Sequence, residues 1–125
     1  MKICITAVSN TLESQIETRF GRSPWFIIID PETMNYEAVP NSAIKSMHGA
    51  GIQAARLVAE KGVNVVISGN IGPNAYSALS SEGITVIAGA SGIVKKALER
   101  YKNGELKQLK SPTVKGHSGR GNRGR

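Results

Sequence analysis

The sequence predicts an α/β domain built on one mixed five-stranded sheet with helices on its faces. Three observations carry this. Five short runs are apolar and rich in β-branched residues, which suits strands too brief to be helices. Two of these runs are separated by a polar turn, the mark of an antiparallel hairpin. The remaining runs alternate with segments of helical period, the mark of short parallel crossovers, which are right-handed.

Taken in order, residues 2–8 alternate Ile3, Cys4 and Ile5 with little polar interruption and read as a first strand. Residues 9–15 are polar and read as a loop with a short helical turn. Residues 25–30 form a continuous apolar run between Pro24 and Pro31, a buried second strand. Residues 31–35 turn the chain, residues 36–39 pair back as the third strand, and Pro40-Asn41-Ser42 ends it. From Gly51 the period changes. Ile52, Ala55, Leu57, Val58 and Ala59 line one side of a helix that Gly62 stops. Residues 63–68 are a fourth strand, residues 73–81 a second helix with Pro73 in its first turn and Gly83 beyond its end, residues 84–88 a fifth strand, and residues 92–101 a third helix. The hairpin followed by parallel crossovers gives the order 3-2-1-4-5 and a three-layer, ribonuclease-H-like α/β/α arrangement.

A chain of 125 residues fits one domain. The net charge of +7 suggests a nucleic-acid binder until it is divided along the chain. Residues 1–109 hold 11 Lys and Arg against 9 Asp and Glu, whereas residues 110–125 hold five cations and no acid. The expected division is therefore a folded domain over 1–110 and a disordered basic Gly/Arg tail over 111–125, too poor in apolar groups to offset its ordering entropy. No run approaches the ~18–20 apolar residues of a membrane span, and the strand pattern begins at once, leaving no room for a signal peptide. One cysteine, Cys4, suits a reducing cytoplasm and an inert core position.

The chemistry gathers around glycines. Three Gly-rich connections, at residues 48–51, 69–74 and 89–92, each precede a helix. Helix starts present backbone N–H groups without intrahelical acceptors and a partial positive charge, and glycine lets a ligand approach the backbone. Convergence of the three at the carboxyl edge of the sheet would build an anion site from Gly49, Gly51, Asn70, Gly72, Asn74 and Ser91, although any fold uses glycine at such turns. Met47 and His48 stand at the mouth of the first helix. A thioether and an imidazole suit soft and borderline metals, while a histidine there could equally cap the helix. Arg19 and Arg22 flank Gly21 and could clamp an oxyanion or polysulfide edge, or remain solvated charges.

Several chemistries are disfavoured. Residues 49–54 match the dinucleotide fingerprint formally, but the motif does not follow a strand directly, and no phosphate-binding Gly-Lys-Ser/Thr loop is present. The first strand carries no carboxylate, so a two-metal nuclease lacks its ligands. Two histidines, one of them His117 in the tail, offer little from which to build a nucleophilic triad. The residues describe a binder rather than an enzyme.

Arg19-Phe20-Gly21-Arg22-Ser23-Pro24, with Phe26, then His48-Gly49 with Gly51, then Gly72-Pro73-Asn74-Ala75 resemble, in this order and at these separations, the dinitrogenase iron–molybdenum cofactor biosynthesis family. That family includes NifX-like carriers, the C-terminal part of NifB-type proteins, and the orange protein with its molybdenum–copper sulfide cluster. The resemblance covers about residues 1–110 and leaves out the basic tail. It implies reversible, non-catalytic holding of an anionic metal–sulfur cluster, of Mo/Fe/S or Mo/Cu/S type. His48 would be a metal ligand and the partners would be cluster donor and acceptor proteins. A second expectation, independent of the resemblance, is an adaptor whose basic tail engages nucleic acid or an acidic protein surface.

Overall fold

The computed structural model of the chain describes residues 1–112. The elements are β1 (Ile3–Ala7), β2 (Trp25–Ile29), β3 (Tyr36–Pro40), α1 (Ala50–Glu60), β4 (Val65–Ile67), α2 (Pro73–Ser81), β5 (Thr85–Ile87) and α3 (Val94–Lys102). They form one sheet of order β3-β2-β1-β4-β5, as the sequence predicts. β1 lies at its centre, antiparallel to β2 and parallel to β4, with Cys4 placed between Ile28 and Val66. All five residues of β1 are buried, which explains a near-continuous apolar run where a half-exposed strand would alternate.

The strand period of two sends alternate side chains into two cores. Cys4, Phe26, Ile28, Val66 and Val86 face α1 and α2, meeting Ala54, Ala55, Val58, Ala75 and Leu79. Ile3, Ile5, Ile27, Ile29, Val65, Ile67 and Ile87 face α3, meeting Val94, Ala97 and Leu98. The layers are therefore two helices, sheet, one helix. Burial in the first core pushes the Cys4 thiol far above its ordinary range, so it stays protonated.

Two strands are shorter than their apolar runs because the runs also serve the helix ends. At the end of α1, Gly62 N–H donates to the Ala59 carbonyl (3.0 Å) and Val63 N–H to the Val58 carbonyl (3.4 Å). Gly83 and Ile84 repeat this on Ser80 and Leu79 after α2. Gly62 and Gly83 sit at φ 76° and 75°, as the closing residue of such a motif requires. Val63 and Ile84 are thus spent on closing helices, and the parallel ladder starts only at Val65 and Thr85. α3 begins at Val94 rather than Gly92, because Gly92 (φ 87°) turns the chain while its carbonyl accepts from Ile16 N–H. The polar stretch after β1 makes a hydrogen-bonded turn, Ser14 N–H to the Thr11 carbonyl, and no helix. The expected disordered tail falls, from residue 113 onward, outside the described residues.

A strap over residues 15–20 crosses the carboxyl edge of the sheet. Val8 N–H donates to the Gln15 carbonyl (3.0 Å), Glu17 N–H to that of Thr6 (3.2 Å), and Asn70 N–H to that of Thr18 (2.6 Å). Ile16 enters the α3 core and Phe20 the α1/α2 core, where its ring centroid lies 5.4 Å from that of Phe26. The strap passes so close over β4 that a Cβ on Gly69 would stand 2.8 Å from Thr18 Cα.

Two outcomes are expected. Gly69→Ala forces strap and β4 apart and costs about 1–3 kcal/mol in urea unfolding, the usual penalty of overpacking. The Cys4 thiol ionises only in the unfolded chain, so its contribution is whole below the ordinary thiol pKa of about 8.5 and is lost as pH rises above it. Stability should fall there by up to about 1.4 kcal/mol per pH unit, a slope that Cys4→Ala removes from the pH series.

Candidate functional site

The starts of α1 and α2 meet at the carboxyl edge of the sheet. A Cβ on Gly51 would stand 3.0 Å from Ala75 Cβ, and one on Gly21 would stand 3.0 Å from Gly51 Cα and N. Small residues at 21, 51 and 75 thus let both helix starts and the loop after the strap close on one another. Neither helix start has a side-chain cap, and neither has an acidic residue in its first turn. Their leading N–H groups and the positive ends of two macrodipoles therefore point toward the same space.

That space is a cleft of about 380 Å³, lined by Arg19 to Arg22, Gly49 to Ile52, Asn70, and Gly72 to Ala75. Gly49 needs glycine for its backbone, at φ 72°. Gly72 does not. Its φ of −74° and ψ of 171° are ordinary extended values, and a Cβ there would meet nothing within 4 Å.

Two arginines flank the cleft in different ways. Arg19 is 67% exposed, and its Nε donates to Glu17 Oε2 at 3.3 Å. Glu17 is the buried member of the pair, its side chain 15% exposed, so Arg19 reaches from solvent to a largely buried carboxylate. Arg22 is half-buried, and its Nη1 donates to the carbonyls of Ile44 (2.7 Å) and Ser46 (2.9 Å). The loop that carries both arginines is anchored by buried Asn41. Its Nδ2 donates to the Gly21 (3.1 Å) and Ser23 (2.9 Å) carbonyls, and its Oδ1 accepts from Ala43 N–H (3.0 Å). Buried Ser23 completes the anchor, accepting from Ala7 N–H and donating to the Trp25 carbonyl.

Of the residues singled out in the sequence, the cleft brings together Arg19, Arg22, Gly49, Gly51, Asn70, Gly72 and Asn74. Met47 and His48 are exposed, Met47 at 86%, and precede the lining at Gly49 without belonging to it. Ser91 stands apart. Two helix starts converge rather than three, because α3 packs on the opposite face of the sheet and its N-terminal connection leads there. Periodicity gives a helix and not the face it covers, so this separation was not readable in the sequence. Asn41 and Ser23 were also missed as anchors. Asn41 carried a faint signal as a polar residue between a strand-ending proline and the next segment. Among the described residues, no three His, Cys, Asp or Glu gather as they would around a metal ion.

Sheet order, layers and the cleft define the class: a three-layer α/β domain with an uncapped, cation-flanked cleft at its carboxyl edge. The chain belongs to the dinitrogenase iron–molybdenum cofactor family, whose model matches residues 1–104. It is 34% identical over 112 residues to an uncharacterized protein of Methanocaldococcus jannaschii, spanning 87% of this chain and 92% of that one. The apo form of the orange protein from Desulfovibrio gigas superposes with a TM-score of 0.88 at 35% identity, covering 90% of this chain and 96% of that one. A NifB-designated protein from Thermotoga superposes at 0.79 and 34% identity, covering 90% and 97%. No helix among the described residues is long and apolar enough to cross a membrane.

Proposed function

We propose that this chain is a non-catalytic carrier or scaffold that holds an anionic metal–sulfur cluster as cargo in the cleft between the starts of α1 and α2. The observation that carries the reading is Gly72: backbone geometry does not require glycine there, nor does a crowding neighbour, and it opens a bare main-chain surface onto the cleft. The donor set favours an assembled cluster over a bare ion. Cys4 is buried and protonated, and the described residues gather no ligand cluster, so a metal would have to bring its own sulfides. Sulfides are hydrogen-bond acceptors, and the cleft offers N–H donors and guanidinium groups.

In this reading, N–H groups near Gly51 and Asn74 donate to cluster sulfides, and Arg19 neutralises charge from the rim. His48, with Met47 beside it, ligates metal from the edge of the cleft. Membership in the family supports a cofactor of the iron–molybdenum type, and the likeness to the orange protein supports a molybdenum–copper sulfide as the other cargo. The cluster would arrive from a donor protein and leave to an acceptor, in the cytoplasm.

Anaerobic reconstitution with tetrathiomolybdate and copper, followed by metal analysis and visible spectroscopy, tests this. Stoichiometric molybdenum with charge-transfer bands is expected. Protein that stays colourless and metal-free sinks the reading. Gly72→Ala should keep its unfolding free energy within about 1 kcal/mol of the parent and still lose cluster on gel filtration, because only the cargo meets the added methyl. His48→Ala should fold normally and retain less molybdenum; unchanged retention would remove His48 from the site.

A further inference from the structure

We infer that Arg22 is the positioning residue of the cleft and that Arg19 is its exposed cation. Arg22 holds residues 44–48 in one arrangement before any ligand arrives, so that Met47 and His48 stand at the rim. The inference rests on the cleft being the binding site, and it divides a task that sequence alone assigned to both arginines together.

The geometry separates the two. Both protons of Arg22 Nη1 are used on the carbonyls of Ile44 and Ser46, 2.7 and 2.9 Å away. Such bonds are charge-assisted and roughly twice as strong as neutral ones. The same short segment is held at further points. Ile44 N–H donates to the Asn41 carbonyl (3.2 Å), Ser46 N–H to that of Ala43 (3.0 Å), and Ser46 Oγ to Gln53 Oε1 on α1 (2.8 Å). Arg22 thus ties the segment at Ile44 and Ser46 to the loop after the strap, and Gln53 ties it at Ser46 to α1. Between Ser46 and the turn at Gly49 stand only Met47 and His48, both exposed. Two residues between two anchors have little freedom, and ordering them in advance reduces the entropy that a ligand must supply on binding. Arg19 holds no carbonyl in this way. Its Nε donates to the largely buried carboxylate of Glu17, at 3.3 Å, while its side chain stays 67% exposed and open to an incoming anion.

Amide hydrogen exchange on the ligand-free protein, paired with tetrathiomolybdate titration, tests the division. In Arg22→Met, the Ile44 and Ser46 amides should exchange about tenfold faster, the worth of one charge-assisted hydrogen bond. The Val58 amide inside α1 should keep its protection. In Arg19→Gln, all these amides should exchange as in the parent, while tetrathiomolybdate affinity falls and loses part of its salt dependence. Arg22→Lys keeps the charge with a shorter reach, and its Ile44 and Ser46 amides should exchange at an intermediate rate. It serves as the deciding variant if Arg22→Met does not fold. Parental exchange at Ile44 and Ser46 in a folded Arg22 variant overturns the inference. A parent protein that ignores tetrathiomolybdate overturns the cluster reading instead, and the exchange comparison, made without ligand, still decides what Arg22 holds.

Discussion

The backbone hydrogen bonds of the strap are the constraint on which the site depends. Residues 15–20 carry little regular structure of their own, yet their N–H and carbonyl groups close onto Thr6, Val8, Asn70 and Gly92. These partners lie at the ends of three different strand connections. Without the strap, the carboxyl edge of β1, β4 and β5 would leave main-chain groups needing other partners at the rim of the core. With it, Ile16 and Phe20 seal the two cores from the same side, and the loop at Arg19 to Arg22 is delivered against the start of α1. The cleft is a by-product of how that edge is closed.

The sheet was legible because its grammar is local. A strand-length apolar run, a polar turn and a second run specify a hairpin, and helix-period segments between the later runs specify parallel neighbours. The order followed from crossover rules rather than from any single residue. The strand ends were less legible, because Val63 and Ile84 are apolar for two reasons at once: each closes a helix and borders a strand. β-Branched chemistry does not distinguish these uses. The strap was not legible at all. Its bonds to Asn70 and Gly92 join residues fifty or more positions apart, such as Thr18 with Asn70, and its side chains alternate without a clean period.

The candidate site was legible as composition and not as assembly. Glycines before helices and paired arginines pointed to the right segments, and seven of the ten residues drawn from them line one cleft. What the residues could not show is which glycines serve packing and which serve an opening. Gly21 is small because the Gly51 backbone lies against it, Gly51 because Ala75 Cβ does, Gly49 because its φ is positive, and Gly72 for none of these reasons. Nor could they show that one arginine would be occupied with carbonyls and the other left at the surface, a distinction that arises only when residue 22 meets residue 44 across the fold.

Six of the thirteen residues that line the cleft are glycine or alanine, which leave main chain near its surface. A helix start donates the same N–H groups whether its side chains are alanine, asparagine or isoleucine, since the donors belong to the peptide and not to the residue. Recognition of this kind is inherited with the fold. Point substitutions along the lining would leave the donors in place provided they add no bulk, so the surface could drift in sequence and still present the same N–H groups. In the proposed carrier, selectivity among cargoes would then come from the few side chains at the rim, where replacement is cheap and the scaffold is not disturbed.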